Sequence, residues 1–363
     1  VSTPDRHLVF FGTETTIGTT STQDDMFIRF SDQESIDSTT SYAPSATNTA
    51  GTQRLADGTR IVSAIRGRDA IYVWTDTSLF IMRFVGAPFT FSFQQVGTNC
   101  GLIGKNAAVE VDGSAYWMSE NGFFRYTGKL ESLACLVEDY VYDDINTVPK
   151  NHIYAGLNNL FGEVTWFYPG SGAASNNRSV TYNYMDSTPE RPVWTTSSLA
   201  RSSWFDSSIF GKPHGTEYDS SATSDSTVGN TDGVTTYFEH ETGQDQIKAG
   251  ARSSIAANIQ SGDFDLDRQG LQGDGEYMMK IRRVLPDFLS QTGNARVTLN
   301  LKNYPTDSQS SSSLGPFTTT TTTTKIDTRA RARAIALKVD NTSIKQHWKL
   351  GTFRLDIQAD GRR

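Results

Sequence analysis

Apolar and polar residues alternate with a period of two along most of this chain, and Gly, Asp, Asn and Ser punctuate the alternating stretches. Side chains on a strand point to opposite faces in turn, so such alternation predicts half-buried strands joined by turns. Apolar runs at Leu8–Phe11 and Met26–Phe30 predict the first strands, and the Ser/Thr-rich stretch 31–59 reads as a long loop. Three strands follow at 60–65, 70–74 and 79–84, joined by turns at Gly67-Arg68-Asp69 and Asp76-Thr77-Ser78. The plan recurs at 107–111, 115–118 and 123–126, with Asp112-Gly113 and Glu120-Asn121-Gly122 as hairpin turns. An offset of 44 residues lays Tyr72 on Tyr116, Asp76 on Glu120, Ser78 on Gly122 and Phe80 on Phe124.

A repeat of roughly 40–50 residues made of antiparallel strands is the signature of propeller blades, each buried against its neighbours. Stretches 153–157, 163–168, 180–184 and 193–195 predict a further sheet. Another comes from 203–210 and 234–240, flanking a Ser/Asp/Gly loop at 219–233. Beyond about 250 the texture changes to longer strands at 277–284, 295–301, 325–339 and 348–358, separated by Ser310–Ser313 and Thr318–Thr324. The expected fold is therefore all-β: a β-propeller of antiparallel sheets over 1–249, with a C-terminal β domain or irregular final blades over 250–363.

Composition supports strands over helices. Of 363 residues only 36% are hydrophobic and 20% charged, while aromatics reach 11% and favour pleated, half-buried surfaces. The formal charge of −7 argues against a general grip on nucleic acid, which needs a basic footprint. No apolar run approaches a membrane-spanning length, and the N-terminus carries no signal-peptide core. The chain opens on Val1 rather than Met, which predicts processing, truncation or a start inside a longer chain. Two cysteines, Cys100 and Cys135, form no disulfide framework and read as buried thiols in preference to a bridge.

Motifs for chemistry are weak. Gly101-Leu-Ile-Gly104-Lys105-Asn106 lacks the glycine spacing and the Ser/Thr of a phosphate loop, and reads as a turn between blades. His7, His152, His214, His240 and His347 lack metal-ligand spacing. Glu138, Asp139, Asp143 and Asp144 share one short stretch, unlike a glycosidase carboxylate pair converging from separate elements, so a solvated turn face or a subunit contact is expected. Asp263, Asp265 and Asp267 have the spacing of a calcium loop, with Asp274 at its twelfth position. Arg268 replaces the sharp-turn Gly, however, and a strand with Phe264 and Leu266 inward is the competing reading. Arg329, Arg331 and Arg333 alternate with alanines, which places three guanidinium groups on one strand face, continued by Ile335, Leu337 and Val339. That stripe suits DNA phosphates or a partner's carboxylates as well as an interstrand salt-bridge ladder. No catalytic, cofactor-binding or metal-ligating residue is assigned; the interface or DNA-facing candidates are Arg329, Arg331 and Arg333.

Several segments resemble the tail nozzle or needle-hub proteins of short-tailed double-stranded DNA bacteriophages, also called phage DNA stabilisation proteins. They are Cys100–Gly113, Ala115–Gly128, Val137–Asn146, Arg329–Val339 and Trp348–Arg363. The resemblance implies a non-enzymatic virion protein without cofactors, forming a homo-hexameric ring at the distal end of the short tail. It implies a tail adaptor above, needle, fibre or tailspike proteins nearby, and transient passage of double-stranded DNA through a channel the ring forms and gates. The competing functions are a carbohydrate-binding or glycan-cleaving propeller and a tail-fibre adhesion module. Loops 31–59, 219–233 and 306–324 are the candidates for the channel lumen.

Overall fold

The computed structural model describes residues 1–219, 233–248, 250–267, 270–271, 276–308 and 312–361. The chain is all-β and divides into two compact units, Val1–Glu241 and Thr242–Arg363; the boundary read from the change in sequence texture was 249/250.

The first unit is a succession of five antiparallel meanders. The first comprises β1 (Val9–Glu14), β2 (Gln23–Phe30) and β3 (Gly51–Arg54). The second comprises β4 (Ile61–Arg66), β5 (Ile71–Thr75), β6 (Ser78–Gly86) and β7 (Thr90–Thr98). The third comprises β8 (Ala108–Val111), β9 (Ser114–Ser119), β10 (Gly122–Tyr126) and β11 (Leu130–Leu133). The helix α1 (Glu138–Asp144) follows, then β12 (Tyr154–Asn158), β13 (Glu163–Tyr168), β14 (Arg178–Asn183) and β15 (Trp194–Ser197) as the fourth. β16 (Ser203–Phe205), β17 (His214–Asp219) and β18 (Val234–Glu239) make the fifth.

The 44-residue offset is a register relation. Trp74 stands opposite Leu79, as Met118 stands opposite Phe123, and Tyr72 opposite Ile81, as Tyr116 stands opposite Arg125. Each tyrosine of the pair faces the next meander: Tyr72 Oη donates to Gly113 O, and Tyr116 packs on Tyr182. Alternate residues of one meander thus feed two cores. Ile71, Val73, Phe80 and Met82 pack with Val9, Met26, Ile28 and Phe30 of the first meander. Tyr72, Trp74, Leu79 and Ile81 pack with the third, whose Phe123 meets Trp166 of the fourth.

The first strands of successive meanders lie side by side: β1 by β4, β4 by β8, β8 by β12, β12 by β16. This is the arrangement of blades around an axis. Among the described residues no comparable contact joins β16 back to β1, so the five meanders form an arc, and no closed wheel is identified.

The second unit contains β19 (Asp245–Lys248), β20 (Ala251–Ser254), β21 (Ala257–Gln260), β22 (Phe264–Asp267), β23 (Gly270–Leu271), β24 (Met279–Leu285), β25 (Phe288–Thr292) and β26 (Ala295–Lys302). It continues with β27 (Ser313–Thr319), β28 (Ile326–Ala332), β29 (Ala334–Asn341), β30 (His347–Leu350) and β31 (Arg354–Ala359). One sheet runs β23-β22-β29-β26-β27 with β21 also on β29, and a second runs β28-β24-β31. Met279, Ile281, Val284 and Ala330 of the second share a core with Val297, Leu299, Ile335 and Val339 of the first.

Five expectations are corrected, the first being 348–358, which is two strands, β30 paired with β25 and β31 paired with β24. The stretch 31–59 carries β3, which has no apolar residue but completes the first meander by backbone pairing with β2. Residues 306–324 include β27, paired with β26. Residues 325–339 are two strands: the chain bends at Arg333 and passes from one sheet to the other, so Ile335, Leu337 and Val339 do not continue the arginine face. Glu138–Asp144 is a helix, with two carboxylates in its first turn where the helix dipole favours them.

Candidate functional site

The alternation of arginine and alanine in β28 is realised: Ala330 and Ala332 are buried, while Arg329 and Arg331 are exposed. The pairing of β28 with β24 sets Arg331 opposite Lys280, and Arg282 sits at the bulge of β24. Arg331 Nε meets Asp360 Oδ2 at 2.6 Å and Nη2 donates to Asp360 O. That bond, with the charges of Lys280 and Arg282, holds the Asp360 carboxyl below its ordinary range. Arg333 lies in the bend, its Nη1 donating to Glu276 O at 3.4 Å. Arg329 makes no side-chain hydrogen bond or ion pair among the described residues. The three arginines therefore do not act alike: Arg331 is held by an acid, Arg333 is turned toward a backbone carbonyl, and Arg329 is presented to solvent.

The remaining candidates have structural roles. The segment Gly101–Gly104 is buried, and its backbone groups are spent within the protein: Ile103 N donates to Met118 O, and Gly104 O accepts from Ala107 N. Asp263 pairs with Lys302 at 2.6 Å. Asp265 stands opposite Ala334 while Phe264 and Leu266 pack on the core, the strand reading. Arg268 and Asp274 lie outside the described residues, as do residues 220–232 of the Ser/Asp/Gly loop. Asp144 on α1 pairs with Arg178 at 3.2 Å. Cys100 and Cys135 are free thiols, each pushed up to about 11 by burial. Among the described residues no three His, Cys, Asp or Glu side chains gather to hold a metal ion.

Two features escaped the sequence pattern. Arg201, 3% exposed, donates Nε to His240 Nε2 at 2.9 Å, lies 3.4 Å from Glu217 and stacks 4.0 Å over Phe238. Burial pushes Arg201 down to about 10. Burial first, then the Arg201 charge, pushes His240 down to about 4. No run of charges announces this cluster, because its members come from β17, β18 and the loops before β16 and after β18. The second feature is the pair of uncovered faces at the ends of the arc. The register of the fifth meander puts Phe205, His214 and Tyr237 on one face, with Phe210 edge-on to Phe205. Tyr237 is 64% exposed. At the other end, Phe10, Ile17, Arg29, Ile36 and Tyr42 line a cleft of about 420 Å³.

No protein-family profile matches this chain, and no curated protein matches it either.

Proposed function

We propose that this chain is a structural virion protein, the subunit of a ring-shaped tail nozzle that forms and gates the DNA-ejection channel at the distal end of a short phage tail. The supporting observation is the placement of the resembling segments. Cys100–Gly113 and Ala115–Gly128 fold together as the first three strands of the third meander, at the middle of an arc of stacked blades. A stack of sheets sharing cores on both faces is stiff, which suits a conduit, and a charge of −7 disfavours retention of the DNA backbone. Exposed aromatics at both ends of the arc favour faces covered on assembly, since uncovered apolar patches mark interaction surfaces. In this reading Arg329 contacts an acidic partner group or a DNA phosphate.

The mass and image of the assembled particle test the proposal. Six subunits around an axial hole wide enough for duplex DNA are expected. Three subunits point to a fibre module, and a stable monomer to a lectin or an enzyme; either result overturns the nozzle. Gating is tested by genome retention in purified particles after deletion of 220–232, expected to fall. The other two lumen candidates contain β3 and β27, so their deletion would also break a sheet.

A further inference from the structure

At one rim of the first unit, the fourth and fifth meanders bring acidic side chains together with a buried amide. Asn158 closes the β12–β13 hairpin opposite Glu163, and Glu163 stands opposite Asn183 on β14, so the three side chains share one face. That face looks toward the fifth meander, because Phe167 of the same row packs on Trp204 at 5.4 Å. Across the junction Glu241 follows β18, and Asn158 Nδ2 donates to Glu241 Oε1 at 3.3 Å. Asn158 is 5% exposed, yet its Oδ1 accepts from no group. The hydrogen bond fixes the amide's orientation, since turning it over would set that oxygen against the Glu241 carboxylate. Glu163 has no ion pair among the described residues.

A buried carbonyl oxygen with no donor thus stands on one face with Glu163 and beside Glu241, so oxygen donors of three side chains gather at one junction. We infer that Asn158 Oδ1, Glu163 and Glu241 bind a calcium ion at the junction of the fourth and fifth meanders. Asn carbonyl and Glu carboxylate oxygens are the donors a hard cation takes, with water filling the remaining positions. Neither nitrogen nor sulfur is offered, which disfavours zinc. The ion would tie β12–β13 to the end of β18 and satisfy the orphaned oxygen.

Calcium chloride titrated into the metal-free full chain tests this by calorimetry and thermal unfolding, with magnesium chloride run in parallel. Saturable binding of one calcium is expected, with Kd of about 10⁻⁴–10⁻³ M, the range of sites built from few charged ligands. At saturation Tm should rise by about 3–8 °C. Glu163→Gln and Glu241→Gln should each weaken calcium binding about tenfold or more. Without calcium, Glu163→Gln should melt no lower than the unsubstituted chain, since it removes a half-buried carboxylate facing like charges, and that result also shows the variant to be folded. No saturable binding at about 10 mM calcium, an equal response to magnesium, or unchanged calcium affinity in both variants overturns the inference.

Discussion

Trp74 and Trp117 are both fully buried and meet at 5.4 Å, but their indole N–H groups differ. Trp117 Nε1 donates to Cys100 O at 2.7 Å, whereas Trp74 Nε1 has no partner. Replacing either by Phe loses ring volume, but only Trp117→Phe also strands a buried carbonyl. Trp117→Phe should therefore cost about 1 kcal/mol more than Trp74→Phe in urea unfolding at unchanged slope; equal costs would contradict the pairing. His240 gives a pH dependence. Its folded pKa of about 4 lies below the unfolded value, so the unfolded chain takes up the proton more readily. Stability from this group is present above about pH 6.5 and is lost as pH falls toward 4. The half-buried ring is partly screened by solvent, so the loss is roughly 1–2 kcal/mol. The Glu163 and Glu241 carboxyls, held above their ordinary range in the fold, act in the opposite sense. The His240 contribution is therefore read as the difference between the unsubstituted chain and His240→Asn, whose denaturant midpoint should fall less between pH 7.5 and pH 5. The sequence showed the tryptophans as strand residues. It could not show which indole finds a carbonyl, because Cys100 and Trp117 are brought together only by the turn into the third meander.

At the scale of elements, strands with an apolar alternation were legible, and strands held by backbone pairing alone were not. β5, β6, β9 and β10 are flanked by turn residues and carry Trp74, Phe80, Trp117 and Phe123 inward, which fixes both type and register. β3 is Gly-Thr-Gln-Arg and β7 is mostly polar in its second half; both are outer strands, where solvent tolerates polar side chains. The bend at Arg333 was invisible because arginine–alanine alternation runs through it with no Gly or Pro to mark a break. Contact between meanders depends on a glycine that the pattern did not single out. A Cβ on Gly156 of β12 would stand 2.5 Å from Cγ of Trp204, the indole that donates to Leu157 O at 2.7 Å and joins the fifth meander to the fourth. Gly156→Ala should cost about 1–3 kcal/mol by overpacking and speed proteolysis of 201–219. Gly262→Ala, with open space around it, should stay within about 0.5 kcal/mol of the unsubstituted chain when both glycine variants are melted thermally.

At the scale of the whole molecule, the chain comprises two units, and among the described residues each core cluster draws its side chains from one of them. The first is aromatic: Trp74, Trp117, Phe123, Trp166 and Tyr168 are buried between meanders that alternate their faces. The second is aliphatic: Met279, Ile281, Val297, Leu299, Ile335 and Val339 fill the space between two sheets. The sequence beyond 250 reads as longer strands, but 325–339 and 348–358 are each two strands and the longest strands, β6 and β7, lie in the first unit; the division at Glu241/Thr242 could not be read either, because no Pro- or Gly-rich linker stands there. A unit with its own core can fold by itself. The excised chain 242–363 should therefore give a cooperative thermal transition and a β-type circular dichroism spectrum. Within it Met279→Ala, which empties a fully buried position on β24, should cost about 2–5 kcal/mol. The same substitution in the full chain should cost the same within about 0.5 kcal/mol, since distant, independent sites add. A fragment that unfolds without cooperativity would mean that the second core depends on the first unit, and the nozzle reading would then need the two units to act as one body.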